Sequence, residues 1–290
     1  MNIPELFNYS AEQTREWIKK ESGLDEVYSE ALLAEETRPR TTVIGDAVLL
    51  ALREVNMNPG SDAEDMVSIR VWVEGDRIIS TRNRKILSVS DIVDSLGKAK
   101  GPQKPGDLIV ELACRMTSRM EDTIEEIEDR VAQLEERIVE GGSHAIRSEI
   151  SAIRRESIML RRYLAPQREA MQKLSSEKLS WLSENDYMRL REASDKLIRY
   201  IEDLDSVRDR ASVTQEELVN RLSEQMNSRM YVLSVIAAIF LPLGFLTGLL
   251  GINLGGLPGA ENNMAFLLFL IFLIAVVVVQ VLYFKKKNWF

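Results

Sequence analysis

The feature that most constrains this chain is the length it runs without charge near its C-terminal end. No Asp, Glu, Lys or Arg occurs from Met230 to Ala260, and after Glu261 the next charged residue is Lys285. About 20 predominantly apolar residues cross the hydrocarbon core of a bilayer, so each run holds one transmembrane helix. Composition averaged over 290 residues hides this, because 28% of the residues are charged and almost all of them lie before Met230.

Basic residues set the expected orientation. Arg221 and Arg229 precede the first run, Lys285, Lys286 and Lys287 follow the second, and the stretch between holds neither Lys nor Arg. Basic flanks stay on the cytoplasmic side, which places both termini in the cytoplasm and the loop from Asn253 to Asn263 outside. Asn2 to Ser10 shows no basic segment leading into an apolar core, so no cleavable signal is expected. Cys114 is the single cysteine, which leaves no internal disulfide framework and fits a reducing compartment. The net charge of -8 argues against nucleic acid, whose binding needs a basic face, and makes cations the more natural company, while the two apolar runs make membrane lipid a partner.

The chain divides into a cytoplasmic α/β domain over 1–106, a cytoplasmic helical bundle and stalk over 107–228, and a first transmembrane helix over 229–252 continuous with the stalk. A periplasmic loop over 253–262, a second transmembrane helix over 263–284 and a basic tail over 285–290 complete it. In the first part, Val67 to Val71 and Arg77 to Ser80 read as strands around the turn Glu74-Gly75-Asp76. Thr41 to Leu52 offers one or two more strands, and Ser90 is expected to cap a short helix ending near Gly97. Gly101 to Gly106 is a linker with two prolines and two glycines.

Beyond the linker the pattern turns helical. Ile124, Ile127, Val131, Leu134 and Ile138 recur at spacings of three and four on a helix from Asp107 to Glu140. Gly141-Gly142 ends it, and Ser143 is expected to cap a second, antiparallel helix that kinks or breaks at Pro166. Asn185 or Asp186 is the expected N-cap of a third helix running to Leu250, since no glycine stands between Gly142 and Gly244 and no proline between Pro166 and Pro242. At 1.5 Å per residue this helix is roughly 95 Å long.

That helix carries a heptad seam of alternating three- and four-residue steps, held by Asn227, Met230, Ser234, Ala237, Leu241, Gly244, Gly248 and Gly251. The other faces carry bulkier side chains such as Val232, Ile236, Ile239 and Phe240. Lipid accommodates bulky apolar groups, whereas small residues face a neighbouring helix or a lumen. Tight packing without a pore explains the same pattern, so the seam alone does not decide between them.

The first span ends in Gly251-Ile252-Asn253-Leu254-Gly255-Gly256-Leu257-Pro258-Gly259, too rich in glycine to continue a helix. Asn253 stands at the outer mouth, where its amide oxygen can accept a hydrogen bond from water around a cation, which suits Mg²⁺ because that ion dehydrates reluctantly. In this position the segment resembles the CorA family of metal ion transporters, marked by a Gly-Met-Asn triplet after the first of two C-terminal helices. Here Ile252 replaces the Met. The segments Leu254 to Gly259, Tyr231 to Ser234, Phe240-Leu241-Pro242-Leu243, Leu164 to Arg168, Glu35 to Arg40 and Asn58-Pro59-Gly60 resemble the ZntB zinc transporter branch.

The resemblance implies a funnel-shaped homopentamer: an α+β cytoplasmic domain, a long helical stalk and two transmembrane helices per chain. The first span would line the pore through the seam residues, and Gly251, Ile252 and Asn253 would form the filter, with Asn253 meeting the hydrated ion. It implies divalent cation transport across the cytoplasmic membrane. The first cargo is Zn²⁺, with Mg²⁺, Co²⁺ and Ni²⁺ as the alternative set, and no resident cofactor is implied.

Other candidates are weighed against simpler readings. Glu261, the one charged residue of the outer loop, fits an electrostatic lure for cations. Asp205, Asp209 and Glu216 on the stalk could bind cations between subunits, or form a solvated face paired with arginine. Cys114 and His144 stand in neither a CxxC nor an HxxxH pair, which argues against a tetrahedral zinc site. No GxxxxGK[ST], HExxH or GxSxG occurs, so an enzyme is not expected. The competing class is a membrane-anchored scaffold or sensor, which needs neither the small seam nor Asn253.

Overall fold

The structure, a computed structural model, describes residues 5–8, 10–141, 144–251 and 264–287. The chain divides into two compact units, Met1–Leu218 and Val219–Phe290, with the division inside one helix.

The first unit is built on a five-stranded sheet in the order β1-β5-β4-β3-β2. Its strands are β1 (Glu5–Asn8), β2 (Arg40–Ile44), β3 (Ala47–Glu54), β4 (Val67–Glu74) and β5 (Arg77–Arg82). β1 joins β5 in parallel, and the other neighbours are antiparallel. The Thr41 to Leu52 run is thus two strands, with Gly45 at φ +60° in the turn between them. At the next turn Gly75 takes φ +56°, a conformation that costs glycine little.

The central strands are apolar almost throughout, as expected when both faces are covered. Period-two alternation separates the faces. Leu49 pairs with Trp72 and Trp72 with Ile79 on one side, packed with Leu32, Trp17 and Tyr28 of α1 (Glu12–Lys20) and α2 (Glu26–Leu33). Leu50 opposite Val71 and Leu52 opposite Ile69 occupy the other side, towards α3 (Leu87–Gly97), α4 (Pro105–Gly141) and α5 (His144–Ser176).

Three local expectations are corrected. Ser90 does not cap α3. It lies inside the first turn and donates its hydroxyl to the Ile86 carbonyl at 3.3 Å, while the buried carboxylate of Glu54, at the end of β3, accepts from the Ser88 amide and, at 2.8 Å, from the Ser88 hydroxyl. A residue distant in sequence does the capping, which no local pattern encodes.

Pro166 does not break α5. The helix is pinned to the sheet on both sides of the proline: the Arg53 guanidinium lies 4.2 Å from the Tyr163 ring centroid, and Thr41 donates to the Ala170 carbonyl at 2.6 Å. β2 pairs with β3 only as far as Ala51, and beyond that point Gln167 replaces the missing strand. It accepts from the Arg53 amide at 2.7 Å and donates to the Arg53 carbonyl at 2.9 Å. Tertiary bonds of this kind offset the one helical bond that proline removes.

Asn185 and Asp186 are not the N-cap of α6 (Glu184–Leu250). Ser183 is the cap, and Asp186 is its reciprocal partner three residues on. The Ser183 amide and hydroxyl donate to the Asp186 carboxylate at 2.9 and 2.7 Å, and the Asp186 amide donates to the Ser183 hydroxyl at 3.3 Å, which is a capping box. The Ser143 cap and Gly142 fall outside the described residues. α7 (Ala265–Lys286) follows, with Lys285 and Lys286 in its last turn, where cations complement the helix dipole.

Glu54 generates a testable consequence. Burial pushes its carboxyl above the ordinary 4.5, while the Ser88 bonds and the Arg119 guanidinium at 3.2 Å oppose that shift. With the folded value raised, the folded state holds a proton that the unfolded chain has already lost, so this group's contribution to stability falls as pH rises above 4.5. Thermal midpoints of the detergent-solubilised protein and of Glu54→Gln, measured across pH, should show the parental advantage shrinking with rising pH. A constant difference would contradict the burial argument.

Candidate functional site

The C-terminal part of α6 and α7 are the two helices long and apolar enough to cross a membrane among the described residues. Along α6 the seam residues Asn227, Met230, Ser234, Leu241, Gly244, Gly248 and Gly251 are exposed within the single chain, and Ala237 is half-buried. Leu241 keeps 72% of its surface open, and Leu233, Phe240 and Phe245 on the other faces are nearly as exposed, so residue size and not exposure marks the seam.

The glycines sharpen the point. A Cβ built on Gly244 or Gly248 would meet nothing within 4 Å, so packing inside the chain does not require either to be small. Their smallness serves something beyond one chain, either a neighbouring helix or a lumen. Gly251 differs: a Cβ there would stand 2.9 Å from the Thr247 carbonyl, and the Gly251 amide donates to that same carbonyl at 2.9 Å. Here glycine closes the last turn. Ile252, Asn253 and Glu261 lie outside the described residues.

The seam extends further towards the N-terminus than the sequence pattern suggested. Its three-and-four spacing continues through Ser223, Asn220, Glu216, Val213, Asp209, Ser206 and Glu202, each of them exposed. The alternating positions Leu204, Val207, Ala211 and Leu218 are buried against the rest of the unit. In the sequence this half of the seam carries no small-residue signal, since its positions hold mainly charged and polar groups, and the burial of the other face identifies it.

This separates the acidic candidates. Asp205 is off the exposed stripe and pairs with Arg161 of α5 at 2.7 Å and with Arg208 at 3.3 Å. Asp209 lies on the stripe and is paired with Arg208 at 2.9 Å. Glu216 lies on the stripe and is exposed. Among the described residues no three His, Cys, Asp or Glu side chains come together as a metal cluster. Cys114, on α4, lines a surface cavity of about 450 Å³ with Met188, Arg189 and Lys196 of α6, and burial pushes its thiol above the ordinary range. His144 opens α5.

The geometry therefore offers a helix whose exposed stripe is polar and acidic in its N-terminal half, and which towards Gly251 is open on most faces, with its small residues gathered on the seam. Comparison with known proteins places this arrangement. The chain is 39% identical over 279 residues to the divalent cation transporter CmaX of Pseudomonas aeruginosa, covering 96% of this chain and 84% of that protein. It is 35% identical to the zinc transport protein ZntB of Yersinia enterocolitica, covering 89% and 79%. The solved structure of full-length CmaX matches all of this chain and 90% of its own with a TM-score of 0.85 at 37% identity. The CorA magnesium transporter of Methanocaldococcus jannaschii shares the fold, with a TM-score of 0.83 over 98% and 90% of the two chains at 16% identity. Residues 6–286 match the family described as CorA-like Mg2+ transporter protein, and the chain belongs to that family.

Proposed function

We propose that this chain conducts divalent metal cations across the cytoplasmic membrane through the centre of a homopentamer, with Zn²⁺ as its first cargo and Mg²⁺, Co²⁺ and Ni²⁺ as the alternative set. The observation that carries the reading is the small-residue seam of α6, where no packing within the chain requires Gly244 or Gly248 to be small. One chain supplies one such helix, and one helix cannot enclose a lumen, so several copies must bring their seams together around an axis.

In this arrangement Asn227, Met230, Ser234, Ala237, Leu241, Gly244 and Gly248 line the conduit and Gly251-Ile252-Asn253 close its outer mouth as the filter. Asp209 and Glu216 sit on the same stripe at the other end and raise the local cation concentration, an effect that salt screens. Glu261 does the same outside. The relatives' names support both cargoes, since the ZntB proteins are named for zinc and the family for magnesium. A filter that meets the ion through its hydration shell reads charge and size more than ligand preference. The protein does no chemistry on its cargo, and the membrane potential supplies about 2.3 kcal/mol per charge per 100 mV.

The first unit and both termini are cytoplasmic. In intact cells a membrane-impermeant thiol reagent should leave Cys114 unmodified and label it only after permeabilisation. Labelling from the periplasmic side would invert the topology. Mass measurement in mild detergent should give five chains, and a monomer would end the pore reading.

Asn253 should dominate ion selection while adding little to assembly. Asn253→Ala removes the amide acceptors without enlarging the loop. A hydrogen bond to a charged group is worth about 1.5–3 kcal/mol, so losing several together should slow flux into proteoliposomes at least tenfold, about 1.4 kcal/mol being a factor of ten. Asn253→Asp keeps the acceptors and should retain cation binding. Parental Zn²⁺ and Mg²⁺ flux in a pentameric Asn253→Ala protein would refute the filter assignment.

A further inference from the structure

Three consecutive lysines, Lys285, Lys286 and Lys287, close the second span. The part of α7 from Ala265 to Phe284 carries no charge, and at 1.5 Å per residue it reaches about 30 Å, the thickness of the hydrocarbon core. The lysines therefore begin where the core ends, at the level of the lipid headgroups. Tyr283, 58% exposed, stands just inside them, at the level where amphipathic aromatic rings settle.

A basic flank is expected of a span from orientation alone, and cations also complement the negative end of a helix dipole. Neither accounts for the whole charge. The dipole presents about half a negative charge, so three ammonium groups leave about two and a half positive charges over. The sequence around them holds nothing to neutralise these, since no Asp or Glu follows Glu261, which precedes the other end of α7. Arg221 and Arg229, before the first span, differ in sharing α6 with Glu217 and Glu224.

The directions of the three side chains matter as much. Lys285 and Lys286 complete the last turn, and Lys287 is the C-cap, its amide donating to the Tyr283 and Phe284 carbonyls at 3.1 and 3.2 Å. Successive residues of a helix point about 100° apart, so the three cover roughly 200° of its circumference. One neighbouring helix or one lumen cannot take them all. All three are exposed within the chain, and a lysine stem lets the ammonium stay at headgroup level while its methylenes lie against apolar surface. At that depth, on the side turned to lipid, the groups with surplus negative charge are the phosphates of anionic lipids, which attract basic clusters beside a span.

We propose that Lys285, Lys286 and Lys287 form a binding surface for the phosphates of anionic phospholipids, with Tyr283 packed beneath the headgroups, so that lipid fixes the depth of the second span. The surface needs the span and no conduit, and its place in the cytoplasmic leaflet rests on the topology proposed above.

The test uses the full-length protein in mild detergent, titrated with phosphatidylglycerol, phosphatidylcholine or inorganic phosphate while the thermal midpoint is followed. Phosphatidylglycerol should raise the midpoint with an apparent affinity at least tenfold above that of phosphatidylcholine, about 1.4 kcal/mol. Salt should shrink this preference, and inorganic phosphate should leave the midpoint unmoved. Combining Lys285→Gln, Lys286→Gln and Lys287→Gln should reduce the preference to less than twofold, whereas the three corresponding Lys→Arg changes should keep it. If the glutamine variant fails to fold, the salt dependence and the phosphate titration of the parental protein decide. An equal response to both lipids, a preference that persists at high salt or in the glutamine variant, or an equal response to inorganic phosphate would overturn the proposal. Periplasmic labelling of Cys114 or absence of cation flux would refute the topology or the pore and leave the lipid preference standing.

Discussion

One uninterrupted helix has to satisfy two solvents, and most of the structure follows from that requirement. In its N-terminal part α6 buries Leu190, Leu197, Leu204, Val207, Ala211 and Leu218 against the other helices of its unit, which stabilises it as an amphipathic helix in water. Further on, no polar face remains. There the backbone must be hydrogen-bonded within the helix because hydrocarbon supplies no partner, and the side chains are free to be apolar all round. The hydroxyls of that part comply: Ser234 donates to the Met230 carbonyl and Thr247 to the Leu243 carbonyl, at 2.8 and 2.9 Å. Each is returned to the helix rather than left in lipid.

The N-terminal unit solves a different problem, that of fixing where α6 begins. Ser180 and Trp181, in the segment before α6, donate to Asp46 in the β2–β3 turn, Trp181 to its carbonyl at 2.9 Å, and the Ser180 bonds hold the Asp46 carboxyl below its usual range. Ser183 and Asp186 then close the first turn. α4 supports α6 from alongside, through the Arg210 pair with Glu135 at 2.7 Å. This pair is partly exposed and so worth less as stability than as register. Sheet and helices thus hold the first turns of α6 in place by directional bonds as well as by apolar packing.

How much of this was legible in the sequence depends on whether the cause was local. The spans, the uninterrupted α6 and the stripe through Ile124, Ile127, Val131, Leu134 and Ile138, all buried, were legible because composition and a 3.6-residue period encode them directly. The caps were not. Asn185, Asp186 and Ser90 are all good capping types, and the choice among them was made by Ser183 nearby and by Glu54 from another strand. Pro166 was misread for the same reason, since Gln167, Tyr163 and Ala170 anchor the helix to strands more than a hundred residues earlier. α1, α2 and β1 gave no usable signal, being short segments made stable by what they pack on. For the candidate site, the seam from Asn227 to Gly251 was readable from residue size, whereas its continuation to Glu202 needed the burial of the opposite face.

The division of the seam into an acidic half and a small, apolar half has a physical reason in the transport reading. A divalent cation leaving water pays a desolvation cost that rises steeply as the dielectric falls. Carboxylates at the wet end, such as Glu216 and Asp209, lower the energy of arrival where screening is strong and binding stays weak. The same groups deeper in the conduit would bind the ion too tightly to release it, since conduction needs entry without capture. Glycine, alanine and serine there leave room for an ion with its water. The walls then contribute space instead of ligands, and selection is left to the mouth. A conduit of this kind distinguishes ions by the size and firmness of their hydration shells.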